Sequence, residues 1–230
     1  MTAVIDRVKG KITSYDERRG VVTIEAPYED FVTMCRREYK EVEITMLDSR
    51  PLSDRQRKSC YAMLREIAVW SGYEPDEIKD MMKFNFLSSL VEDMNQFSLS
   101  NASMSLVAAF QTFLARFIVA HDVPTRKRML EYVDDVTDYV YACLVAKKCP
   151  ICGKKADLHH IDPVGMGRDR TEIIHEGMEV MPLCREHHME IHRTGKADFF
   201  KRYHLNGGIE ADKTICKIYG LNTKKRSKSA

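Results

Sequence analysis

The spacing of apolar and polar residues changes several times along this chain, and each change marks an element. From Val4 to Ala26 the two classes alternate in short runs around Arg18-Arg19-Gly20, the pattern of a small antiparallel hairpin or meander. Lys40–Leu47 alternates through Val42, Ile44 and Met46 and is expected to form another strand. Helical spacing follows. Ser53-Asp-Arg-Gln56 reads as a capping box, in which the serine oxygen and the glutamine side chain satisfy N–H groups that the first turn leaves open. The helix it opens carries Leu64, Ile67 and Ala68 and ends at Gly72. Pro75 starts a shorter helix through Met81-Met82, and a third runs from about Ser103 with Leu106, Phe110, Phe113, Leu114 and Phe117 on one face, stopping before Pro124. Thr125 is expected to cap a fourth that reaches Cys143 or Leu144. Phe and Met at this spacing are core, not a cofactor pocket. No internal repeat and no long low-complexity linker interrupts the pattern, and the expected class is α+β.

The last third of the chain adds chemistry. Cys149-Pro-Ile-Cys152 points two thiolates at one tetrahedral metal, and such a zinc site needs two further N or S ligands. Cys184 and His187, in Cys184-Arg-Glu-His187-His188-Met-Glu-Ile-His192, have the same spacing and can supply them. After Pro182 the run Arg185–Arg193 has no breaker and reads as a helix, with Gly195 as its stop. Neighbours on a helix diverge by about 100° while residues four apart share a face. His187 therefore belongs with the cysteines, and His188 with His192 forms half of a second site. Asp157-Leu-His159-His160 offers the remainder. On a strand His159 and His160 point to opposite faces, so one can bind metal while the other stays free as a base. Cys35, Cys60, Cys143 and Cys216 read as small buried hydrophobes, and His121 and His204 as ordinary histidines.

These motifs, from about Lys147 to His192, resemble the HNH, or ββα-metal (His-Me finger), endonuclease family with a zinc-stabilised core. The resemblance implies His159 as first metal ligand, His160 as general base, His188 and His192 as the paired ligands on the helix, and metal-dependent hydrolysis of DNA phosphodiester bonds. It implies structural zinc on Cys149, Cys152, Cys184 and His187, and a divalent ion (Mg, Mn, Ni or Zn) at the other site. The family's central Asn falls on Glu179, a departure that leaves that residue as a hydrogen-bond acceptor or an ionic ligand, with His175 an alternative occupant. The rival reading is a zinc module that only binds DNA, within a non-enzymatic recombination mediator.

Charge is uneven: residues 141–230 hold 17 Lys and Arg against 11 Asp and Glu, and residues 1–140 hold 19 against 23. Positive charge thus gathers beside the metal motifs, where a phosphate backbone would be drawn. Arg168 and Arg170, in a glycine-bearing basic loop, are candidate phosphate contacts, and residues 221–230 form a basic tail. Seven cysteines, an odd number, suit a reducing compartment. Met1–Arg7 has no apolar run after it and no stretch has membrane-span length, so a soluble, cytoplasmic protein is expected.

Lys40-Glu-Val-Glu-Ile-Thr, Arg50-Pro-Leu-Ser-Asp-Arg-Gln-Arg-Lys58, Ala62–Gly72, Ser103 through Phe117 and His121-Asp-Val-Pro124 resemble the NinB (Orf) family of phage recombination mediators. That resemblance implies binding of single- and double-stranded DNA, a homodimer, and help in loading a recombinase against single-strand-binding protein. It makes Arg50, Arg55, Arg57 and Lys58 candidate DNA contacts. The expected organisation is a mixed strand/helix DNA-binding domain over 1–140, a zinc-stabilised HNH domain over 141–220 and the tail.

Overall fold

The computed structural model describes residues 8–37, 42, 44, 48, 50–90, 97–161 and 173–223. The chain divides into two compact units, Met1–Leu47 and Asp48–Ala230. In the first, β1 (Lys11–Asp16) and β2 (Val21–Glu25) form an antiparallel hairpin with an irregularity between Ile12 and Ser14, followed by α1 (Phe31–Arg37). The expected strand over 40–47 lies outside the described residues except for Val42 and Ile44, which are exposed.

The second unit opens with helices. In α2 (Asp54–Ser71) Ser53 accepts the Gln56 N–H while the Gln56 side chain accepts the Ser53 N–H, and Gly72 ends the helix at φ +77°, a left-handed turn that suits glycine. α3 (Pro75–Ser89) runs farther than the short helix expected, because Ile78, Met82 and Phe86 continue its buried face, and α4 (Met104–Ala120) is capped by Ser103. Their buried faces meet in one core that includes Met63, Leu64, Ile67, Ile78, Phe86, Phe110 and Leu114. Among the described residues no helix is long and apolar enough to cross a membrane.

The fourth helix departs from expectation. The Thr125 hydroxyl donates to the Lys127 carbonyl at 2.7 Å instead of capping a helix. The next segment is tied to α2 and α4: the Arg126 N–H and the Tyr132 hydroxyl reach Glu66, and the Ser59 hydroxyl and the Gln111 amide reach the Tyr132 carbonyl. Those tertiary bonds hold it as a short 3-10 turn, Met129–Glu131, and α5 (Val136–Ala146) starts only where Asp135 accepts the Asp138 N–H. The expected boundary after residue 140 thus falls inside α5, which gives Tyr139 and Cys143 to the first core, Val140 to a second and Leu144 to a third.

Those two smaller cores enclose a three-stranded antiparallel sheet, β3 (Asp157–His160), β4 (Glu179–Leu183) and β5 (Ile209–Glu210), in that order. β4 leads into α6 (Arg185–Thr194). α7 (Lys196–Tyr203) follows across Gly195, which is both the end of one helix and the cap of the next, and α8 (Lys213–Tyr219) closes the described fold. Phe199, Met181, Leu183 and Ile191 pack between the sheet, α6 and α7. The second unit therefore places a strand with adjacent histidines beside a helix with three.

Candidate metal centres

The first cluster joins a turn to a helix start. After α5, Lys147 adopts φ +54° and turns the chain, and the Cys149 N–H donates to the Lys154 carbonyl while the Gly153 N–H donates to the Cys149 carbonyl, both at 2.8 Å. This tight loop aims Cys149 and Cys152 at the N-terminus of α6, where Cys184 is the capping residue and His187 lies in the first turn. The His187 Nδ1 stands 3.4, 3.6 and 3.1 Å from the sulfurs of Cys149, Cys152 and Cys184, and the Cys152 and Cys184 sulfurs are 3.6 Å apart. Zn–S bonds of about 2.3 Å and a Zn–N bond of about 2.0 Å in a tetrahedron require separations of about 3.5–3.8 Å, so this Cys3His set fits zinc with minor adjustment. Burial pushes the Cys149 and Cys152 thiols up, a penalty on the thiolate that a bound cation reverses. Lys154 and Glu186 pair across the rim at 3.0 Å.

The second cluster sits on the next face of α6. His188 and His192, one turn apart, bring their Nε2 atoms to 3.2 Å, and His159 reaches them from β3 with ring centroids 4.6 and 5.1 Å away. Ligand nitrogens of all three lie within 4.8 Å of one another. Two nitrogens about 2.1 Å from one ion stand about 3.0 Å apart in an octahedron and about 3.4 Å in a tetrahedron, which brackets the 3.2 Å pair. His159 is buried, and its imidazole is pushed down to about 4, by burial first and then by His188, His192 and His160. Burial likewise lowers His188. Neutral rings with free lone pairs are what a divalent ion takes as ligands.

His160, next on β3, points the other way. Its Nε2 lies 2.9 Å from the Nδ1 of His175, a half-buried residue just before the β4 turn. Burial, then His175, lowers its imidazole. The sequence offers His175 only as a stand-in for the family Asn, and no spacing rule links residues fifteen apart.

Glu179 lies on β4 opposite Glu210, and its Oε1 accepts the Gly208 N–H at 2.6 Å while its carbonyl accepts the Ile161 N–H at 2.9 Å. It is not among the residues gathered at either metal cluster. Gly208 has no room for a side chain, since a Cβ there would stand 2.7 Å from Ile161 Cγ1 and 2.9 Å from the Val180 carbonyl.

The candidate DNA contacts are dispersed. Arg50 is held by Asp48 through two side-chain bonds of 2.8 and 3.0 Å; Arg55 faces Asp134 at 3.7 Å and Arg57 pairs with Asp54. Arg57 and Lys58 line a shallow cavity of about 320 Å³ with Tyr61, Ala62 and Arg65, a residue absent from the expected set. Arg168, Arg170 and the tail from 224 lie outside the described residues.

Compared with known proteins, residues 21–222 match the family model described as "Putative HNHc nuclease". No curated protein and no solved structure gives a match. The matched stretch runs through residues 40–140 as well, and the NinB resemblance, with its recombination role and dimer, gains no support.

Proposed function

The chain belongs to the HNHc nuclease family, and from that premise we propose that it is a metal-dependent endonuclease hydrolysing DNA phosphodiester bonds, with His160 as general base. One observation carries the reading. Three histidines from two elements converge on one point, while the strand neighbour of one of them faces away, outside the set. A structural knot has no use for the second set, since Cys149, Cys152, Cys184 and His187 already complete four ligands.

His159, His188 and His192 would hold the catalytic ion. A divalent ion there supplies Lewis-acid stabilisation of charge on the phosphate and its leaving oxygen. The residues do the rest. His160 takes a proton from water as the water oxygen bonds to phosphorus; the bond from phosphorus to the leaving 3′-oxygen breaks, its electron pair stays on that oxygen, and solvent returns a proton to it. On this reading residues 141–220 cleave. Residues 1–140 hold DNA, with Lys58 at the α2 cavity the more available of the candidate contacts, since Arg50 is committed to Asp48 and Arg57 to Asp54. Incubating the full chain with supercoiled plasmid across Mg, Mn, Ni and Zn is expected to give nicked and linear products. Nicking by the wild type but not by a His159→Ala/His188→Ala double variant supports the activity, and equal products from both would defeat it.

A further inference from the structure

We propose that His175 is a positioning residue for His160, fixing the imidazole tautomer whose Nδ1 carries the free lone pair. The inference rests on the reading of His160 as general base. A 2.9 Å contact between the His160 Nε2 and the His175 Nδ1 is a hydrogen bond between two rings, and for neutral imidazoles one must donate and the other accept. Suppose His175 donates. Then the His160 Nε2 lone pair is occupied, its Nδ1 must carry the hydrogen, and the ring has no site left for a proton. When His160 donates instead, its Nδ1 is bare and can take one. Among the described residues no hydrogen bond engages that Nδ1. Only the second arrangement is a base.

The same contact acts again once the proton has moved. His160 is then an imidazolium with Nε2–H aimed at a neutral nitrogen, and the bond becomes charge-assisted and stronger. His175 can hold this geometry because its own backbone is fastened on both sides. Its N–H donates to the Asn222 carbonyl at 2.9 Å and its carbonyl accepts the Met178 N–H at 3.0 Å, while the Gly177 N–H donates to Ala211 at 2.9 Å. The segment beyond α8 thus anchors the loop that orients His160.

His175→Phe keeps a ring and removes the acceptor. His175→Asn places an amide oxygen where Nδ1 stood and can still accept. In the full chain, the Phe variant is expected to lose roughly ten- to a hundredfold in kcat, part of what a general base contributes, with KM for plasmid and metal content unchanged, and the Asn variant to recover most of it. Long-range proton–nitrogen correlation of the imidazoles should show His160 with hydrogen on Nε2 in the wild type and the Asn variant, and a mixture in the Phe variant. An undiminished kcat in the Phe variant overturns the proposal, as does an Asn variant no better than Phe. Should the Phe variant fail to fold, the wild-type spectrum decides, and hydrogen on the His160 Nδ1 overturns it. Full activity in His160→Ala would defeat the base reading itself, whereas an inactive His160→Ala beside a fully active His175→Phe defeats this inference alone.

Discussion

Stripping zinc from the full chain is expected to unfold the region around β3, β4, α6 and α7 and to leave the front helices standing. The four ligand atoms of the Cys3His set join the turn at Cys149 and Cys152 to the start of α6, with Cys152 and Cys184 thirty-two positions apart. Structural zinc contributes about 10–16 kcal/mol in small modules, while the whole stability of a domain is about 5–15 kcal/mol. Removing the ion therefore withdraws as much as the fold has to lose on that side. It also leaves the fully buried Cys149 and the nearly buried Cys184 facing each other without a cation. The front helices carry an independent reporter, since Trp70, exposed on α2, is the chain's single tryptophan and packs edge-on against Phe117 with centroids 6.3 Å apart. Chelation with thiol titration should release zinc in step with loss of hydrogen-exchange protection in α6 and α7. Trp70 emission should hold through that release. Full protection of α6 in the zinc-free chain would refute the reasoning, and so would Trp70 emission collapsing together with zinc release.

Four further outcomes are expected. His160→Ala should lower kcat by about 10²–10⁴ while metal analysis and DNA binding stay at wild-type values; His159→Ala should instead lose the second metal equivalent, and identical behaviour of the two would contradict their assignment to opposite strand faces. Glu179→Gln keeps an oxygen for the Gly208 N–H and should denature like the wild type, whereas Glu179→Ala leaves that N–H unpaired at a cost of about 1–3 kcal/mol in urea unfolding; equal midpoints would show the bond to be idle. Gly208→Ala should lose about 1–3 kcal/mol through overpacking against Ile161 and the Val180 carbonyl, and a wild-type Tm would show that β5 simply moves aside. The Arg50 side chain, and then the Arg50 and Ser105 N–H groups, hold the Asp48 carboxyl well below the ordinary range. Because that shift is downward, its stabilising effect is present above about pH 4 and is lost as pH falls below it; Asp48→Asn should flatten the acid limb of a stability-versus-pH curve, and an unchanged limb would count against the pairing.

Local signals in the sequence carried the front helices far. The Ser53/Gln56 box and Gly72 delimit α2 because both ends are closed by residues three or four apart, which spacing alone reveals. The same holds for the histidine assignments on α6, where the 100° step separates His187 from His188. What escaped was long-range or masked by a strong local mark. Gly195 reads as a stop and does end α6, but its φ of +82° also turns the chain straight into α7. Thr125 is a fair capping residue, yet Glu66, Ser59 and Gln111 fasten the segment that follows into a different conformation. Glu179 stands at the position of the family's central Asn, and nothing local announces that its partner is Gly208, the residue before β5. The contact between His160 and His175 was hidden for the same reason.

Surface helices ordinarily accept substitution freely, and Glu186, Met189 and Arg193 on α6 are exposed. Length is another matter there. The helix delivers His187 to one metal position and His188 with His192 to another, on sides about 100° apart. An extra codon between His187 and His188 would rotate one ligand set out of reach of its partners, although every ligand would still be encoded and the helix would form as readily. Over generations such a segment can change its composition while its register stays frozen. Here one added residue forfeits one centre or the other.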